Sequence, residues 1–186
     1  MEQSALIRRR ERPGRVPSEG EYLDDATAGG TFEDFFHDHY GRLSQALLLI
    51  TADPWEAEEV VQEAMARALE RWDRVRSMES PVGYVYRVAV NLHRRRRHRR
   101  SFEIADPARE PGQDPADVVG SADAVLRALR ALSPDQRTAL VLVEWLGLDS
   151  EQAGRVLGIK AASVRARVHR ARLALREKFG GDAGED

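Results

Sequence analysis

The chain has 186 residues, with 29 Lys and Arg against 31 Asp and Glu and a formal net charge of −2, enough for one large or two small domains. It has no cysteine, which excludes a disulfide framework and any Cys-based metal site. No apolar run approaches the roughly 18 residues of a membrane span, and Met1 to Arg15 lacks a signal-peptide apolar region, so the expected location is cytoplasmic.

Residues 1–30 mix Arg8, Arg9, Arg10, Pro13, Pro17, several acids and Gly29-Gly30 without sustained periodicity, and read as a disordered N-terminal extension. From Thr31 the spacing becomes helical. Thr31 is a candidate N-cap with Asp34 three residues on, and the apolar positions Phe32, Phe35, Phe36, Leu43, Ala46, Leu47 and Ile50 follow. Asp53 as N-cap, Pro54 at the first helical position and Glu56 three residues after the cap predict a second helix. Its apolar face is Val60, Val61, Ala64, Met65, Ala68 and Leu69, and it ends near Trp72. Pro81 opens a third helix with Val82, Val85, Tyr86, Ala89 and Val90, running out into the tract from His93 to Arg100, which holds six Arg in eight positions.

Residues 101–120 contain Pro107, Pro111, Gly112, Pro115 and Gly120 with net acidic charge, and predict a linker between residues 31–100 and 121–179. Beyond it, Val125, Leu126, Leu129 and Leu132 form one stripe. Ser133, Pro134 and Gln136 restart the chain as another capped helix through Leu146, with Gly147 as its stop. Asp149 or Ser150 caps the next helix, and Gly158 sits at its end. Residues 180–186 read as a disordered tail. No strand-like alternation appears, so the predicted fold is all-α, in two small helical domains joined by a flexible linker.

The last two helices carry the strongest signal. Residues 150–178 hold eight Lys or Arg against Glu151 and Glu177. Counting from Val164 at 100° per residue, Val168, Ala171 and Leu175 fall in one narrow stripe, leaving Ser163, Arg165, Ala166, His169 and Arg170 elsewhere on the surface. One apolar seam with a basic, small-residue face is the pattern of a helix-turn-helix reading helix in a DNA major groove. A solvated Arg face would share that spacing. The second basic tract, some 60 residues earlier, argues for an extended polyanion footprint.

Four segments resemble the extracytoplasmic-function (ECF) sigma factors, the minimal two-domain branch of the sigma-70 family. Asp53 to Ala64 is similar to the acidic D-x-x-x-A-E-D-L-V-Q-E-x helix of region 2, and Ser80 to Asn91 to its P-x-x-W/Y-L-x-R-I-x-x-N segment. Leu132 to Arg137 resembles the L-P-x-x-x-R opening of region 4, with Ser133 in the proline's place, and Ser163 to Arg172 its T-V-K-S-R-L-x-R-A-R recognition helix. Glu70 to Val75 and Asn91 to Arg94 further resemble the actinobacterial sigma-E-like subfamily. Two positions depart from the pattern. Gly154 stands where a packing alanine is usual, which either costs up to about 1 kcal/mol of helix propensity or permits closer helix approach. Lys160 stands where Ser, Thr or Pro opens the recognition helix, weakening that start by about 1 kcal/mol.

The resemblance implies a sigma factor that directs core RNA polymerase to promoter DNA and aids melting. It implies docking of Glu56, Glu59, Gln62 and Glu63 on the β′ clamp helices of the polymerase, and of region 4 on the β flap. Trp72, Tyr84, Tyr86, Arg87, Asn91, Arg94 and Arg95 are its expected contacts to a −10 element, where melting needs aromatic faces for unstacked bases and cations for phosphate. Tyr86 also shares its spacing with Val82 and Val90, which equally suits a core position. Ser163, Arg165, Ala166, Arg167, His169 and Arg170 are the expected contacts to a −35 element, Arg167 on backbone phosphate or neighbouring side chains. Family members are commonly held by an anti-sigma factor. No catalytic, cofactor or metal site is expected: the five histidines form no ligand pattern, and His37 and His39 face different sides of a helix. The alternative is a helix-turn-helix regulator that does not act as a polymerase subunit, which would leave the Asp53–Glu63 helix and the second basic tract unexplained.

Overall fold

A computed structural model describes residues 30–103 and 121–179. The expected N-terminal extension, most of the linker and the C-terminal tail therefore lie outside the described residues. Among the described residues eight α-helices are formed: α1 (Phe32–Thr51), α2 (Pro54–Leu69), α3 (Trp72–Val75), α4 (Pro81–Glu103), α5 (Ser121–Arg130), α6 (Pro134–Leu140), α7 (Ser150–Leu157) and α8 (Ala161–Phe179). Among the described residues there is no strand, and the fold is all-α.

Local chemistry sets the starts. Thr31 caps α1 through its hydroxyl, and Asp34 reciprocates by accepting from the Thr31 N–H at 3.2 Å. Asp53 Oδ1 accepts from the backbone of Trp55 and Glu56 at 2.9 and 3.2 Å, with Pro54 at the first helical position. Ser133 with Gln136 and Asp149 with Gln152 form two further capping boxes, which settles Asp149 as the cap of α7. Gly158 stops that helix at φ 68°, and Gly147 takes φ 66°.

Two local features were not foreseen. The second helix stops at Leu69, and Trp72 begins the separate one-turn helix α3. The helix from Pro134 changes at Val141 to a wider π turn through Trp145, closed by Leu146 N–H donating to the Val141 carbonyl at 3.0 Å. That turn carries Leu142 and Leu146, both fully buried, into the centre of the second block.

Gly154 is the close-approach case. A Cβ there would lie 2.7 Å from the Ile159 carbonyl oxygen, while the Ile159 N–H donates to the Gly154 carbonyl at 3.0 Å. The helix-to-helix turn is folded onto the glycine, so the missing side chain is a packing requirement.

Residues 31–100 bury Leu47, Ile50, Val60, Val61, Ala64, Ala89 and Val90 between α1, α2 and α4; the later block buries Leu142, Ala153, Val164 and Ala171. The two blocks are not held by the linker alone. α6 and the π turn pack on α1, α7 packs on α4, and the buried side chains form one continuous cluster.

Candidate nucleic-acid interface

α8 is fixed by Val164, Val168 and Ala171, which are 0, 6 and 0 % exposed, with Leu175 half-buried behind them. This places Ser163, Arg165, Ala166, His169 and Arg170 in solvent, as the periodicity requires. Arg170 turns its Nε back to the Ala166 carbonyl at 3.2 Å. Arg167 is the exception: half-buried, it pairs with Asp135 at 2.9 Å. Arg172 pairs with Glu144.

On α4, Tyr84, Arg87, Asn91 and Arg95 lie three, four and four residues apart and form one stripe. Tyr84 is half-buried, the other three are exposed, and the stripe combines an aromatic face, an amide and two cations. Tyr84 and Arg87 also line a cleft of about 440 Å³ that is closed on its far side by Gln152, Arg155 and Val156 of α7. Three other expected members of this set fall elsewhere. Tyr86 is 4 % exposed in the core between Val82 and Val90, so it is unavailable to a base, and burial pushes its phenol well above the ordinary tyrosine value. Trp72 is locked in an aromatic cluster, 5.5 Å from Phe32 and 5.0 Å from Phe35 between ring centroids, with its indole N–H donating to the Gly30 carbonyl. Its ring positions α3 rather than offering a free stacking surface. Arg94 donates to the Leu157 carbonyl at 3.0 Å.

The acidic helix α2 is also rearranged relative to expectation. Glu56 is turned inward and 5 % exposed, with one oxygen 2.7 Å from His93 Nδ1 and the other 2.7 Å from Arg100. Burial alone raises this carboxyl, but the hydrogen bond and charge of His93, together with Arg100, outweigh it and hold the group below the ordinary glutamate range. Glu56 is thus a buried strut between α2 and α4, not a partner-facing residue. Glu63 is half-buried, sharing Arg67 at 2.5 Å and Arg96 at 2.9 Å; Arg96 also reaches Glu59 at 2.5 Å. Glu59 and Gln62 do stand in solvent, and the same face carries Trp55, 81 % exposed, and Leu69, 55 % exposed. Trp55 was passed over in the sequence because it sits in a capping segment; its four-residue spacing to Glu59 was the available signal.

Comparison with known proteins places these features. The sigma-70 region 2 model matches residues 35–102, and the sigma-70 region 4 model matches residues 122–175. A relative, the ECF RNA polymerase sigma factor EcfG of Rhodopseudomonas palustris, is 32 % identical over 138 residues, covering 70 % of this chain and 75 % of its own. The chain belongs to the ECF sigma factors of the sigma-70 family. It is therefore an RNA polymerase sigma factor, a transcription initiation factor that works with core polymerase and promoter DNA. The sigma-E factor of Streptomyces coelicolor is 27 % identical over 152 residues, covering 80 % of this chain and 85 % of that one. Among solved structures, the sigma factor RpoE of Bartonella quintana, crystallised with the anti-sigma factor NepR, has a TM-score of 0.69 at 25 % identity. That match covers 81 % of this sigma factor and 98 % of the Bartonella chain. The region 2 match thus spans α1 to α4, and the region 4 match spans α5 to α8. Among the described residues no helix is long and apolar enough to cross a membrane.

Proposed function

We propose that this sigma factor acts in the cytoplasm and contacts a −10 element with the α4 stripe Tyr84, Arg87, Asn91 and Arg95. Region 4 reads a −35 element with Ser163, Arg165, Ala166, His169 and Arg170 of α8. The observation that carries the reading is that two basic surfaces, one aromatic and one on a helix-turn-helix, stand on separate blocks of one chain. Arg to guanine O6 and N7 is the common specific pairing, and it assigns Arg165 and Arg170 to base edges. The α2 face of Trp55, Glu59, Gln62 and Leu69 docks on the β′ clamp helices, its acids meeting basic residues around two apolar anchors. Region 4 engages the β flap. Crystallisation of the Bartonella relative with its anti-sigma factor supports control by a partner of that kind.

The test is reconstitution. Purified core polymerase with the full chain should transcribe specifically from a subset of genomic promoter fragments, and the −35 contacts should appear as protections lost in Arg165→Ala and Arg170→Ala. Transcription no different from core enzyme alone would overturn the reading.

A further inference from the structure

The cleft between α4 and α7 has a chemistry that promoter recognition leaves unused. Its volume of about 440 Å³ falls within the roughly 300–1,000 Å³ typical of small-molecule sites. Apolar surface comes from Met78 and the half-buried ring of Tyr84 on one wall, and from the buried Val156 on the other. Two guanidiniums, Arg87 of α4 and Arg155 of α7, stand on opposite walls. Both are exposed, and neither makes an ion pair or hydrogen bond among the described residues. That sets them apart from Arg96, Arg97, Arg100, Arg167 and Arg172, each of which is spent on a carboxylate. Glu79 is the one acid in the lining, so cations outnumber it there.

Such a lining calls for a planar apolar group joined to an anion. A guanidinium meets phosphate oxygens with paired N–H donors, and a tyrosine ring gives a nucleobase a stacking face. We propose that the cleft binds a nucleoside 5′-diphosphate, with the base against Tyr84 and Met78 and the phosphates between Arg87 and Arg155. Glu79 and Gln152 supply acceptors for ribose hydroxyls and base amino groups. Ser80 Oγ already accepts from the Gly83 N–H at 3.0 Å, which leaves its O–H as a donor to the ligand. An occupied cleft engages Tyr84 and Arg87, so nucleotide and an unstacked strand compete for the same two side chains. That consequence, unlike binding itself, rests on the −10 assignment made above. Arg155 belongs to neither proposed DNA-contact set, which makes nucleotide affinity separable from promoter recognition.

The test is calorimetric titration of the full chain with ADP and with GDP, and with adenosine and inorganic pyrophosphate as the two halves of the ligand. One of the two nucleotides should saturate a single site per chain, and each half should bind it about ten-fold more weakly or worse. Arg155→Ala should cut that nucleotide's affinity by about ten-fold or more, with Arg155→Lys recovering part of it. Arg155 is exposed, so the unliganded melting temperature should not move, while the rise produced by nucleotide should shrink. Holoenzyme carrying Arg155→Ala should transcribe from its promoters as the unsubstituted chain does. The nucleotide should also displace a single-stranded oligonucleotide from the unsubstituted chain, and do so far less well from Arg155→Ala. Failure of both nucleotides to saturate, pyrophosphate binding as tightly as the nucleotide, or undiminished affinity in Arg155→Ala would each overturn the site. Nucleotide binding without displacement of the strand keeps the site and removes Tyr84 and Arg87 from the −10 contacts. Promoter-directed transcription with no nucleotide binding sinks the cleft and leaves the sigma assignment standing.

Discussion

Replacing Gly154 by alanine pits two physical effects against each other at one atom. Helix propensity alone favours the change by up to about 1 kcal/mol in a helix interior. The new Cβ would stand 2.7 Å from the Ile159 carbonyl oxygen, and reaching ordinary contact near 3.4 Å requires the turn between α7 and α8 to move by about 0.7 Å. That obstacle is backbone, so no side chain can rotate away, and the shift stretches the Ile159-to-Gly154 hydrogen bond as well. Overpacking of this kind costs roughly 1–3 kcal/mol, leaving a net loss of about 0.5–2 kcal/mol. For a chain of this length the melting temperature should fall by about 2–6 °C, followed by far-ultraviolet circular dichroism. Gly41→Ala is the matched control: it lies within α1 with nothing inside 4 Å of its added Cβ, and should raise the midpoint by about 2–4 °C. If both variants melt above the unsubstituted chain, propensity governs both sites and the close-approach account of the turn is wrong.

Arg165→Ala and Arg170→Ala should each weaken −35-dependent promoter binding by holoenzyme by about 1–3 kcal/mol; equal affinity in a filter or footprint assay would remove them from the reading face. Trp55→Ala should leave stability within about 0.5 kcal/mol yet weaken core polymerase binding by roughly 2 kcal/mol, and unaltered affinity would dismiss Trp55 as an anchor. Glu56→Gln should destabilise the fold at neutral pH. Because the folded carboxyl lies below its ordinary value of 4.5, its contribution is full above that pH and fades as pH falls through the lower folded value. The urea-midpoint gap between the two chains should therefore narrow below about pH 4.5, and a gap constant from pH 7 to pH 3 would contradict the pairing. Asp53→Ala removes the acceptor for two backbone N–H groups at the start of α2 and should cost about 0.5–2 kcal/mol, read in the same denaturation experiment.

Helix starts were legible because capping is local: Thr31 with Asp34, Asp53 with Pro54, and Ser133 with Gln136 each carry the whole interaction within four residues. The buried stripe of α8 was legible for the same reason, since periodicity alone separates Val164 and Val168 from Arg165 and His169. Glu56 was misplaced because its partners His93 and Arg100 lie 37 and 44 residues away, and nothing in its own helix marks it as buried. Tyr84 and Tyr86 differ by two positions on one helix, which reverses the face, and only the packing of α4 decides which enters the core. The joining of the two blocks escaped for a further reason. Arg94, Arg130 and Arg137 find backbone carbonyls, and every residue has a carbonyl, so the acceptor leaves no mark in the residue pattern.

The unbroken run of α4 from Pro81 to Glu103 makes it a strut. At 1.5 Å per residue its 23 residues span about 34 Å, close to the rise of ten base pairs of duplex. Tyr84 stands near one end, and Arg96, Arg97 and Arg100, which grip Glu59, Asp135 and Glu56, stand toward the other. A stiff rod transmits a tilt along its whole length. Any partner that draws the acids of α2 or α6 away from those arginines should therefore re-aim the Tyr84 end without touching it, because both ends belong to a single piece of helix.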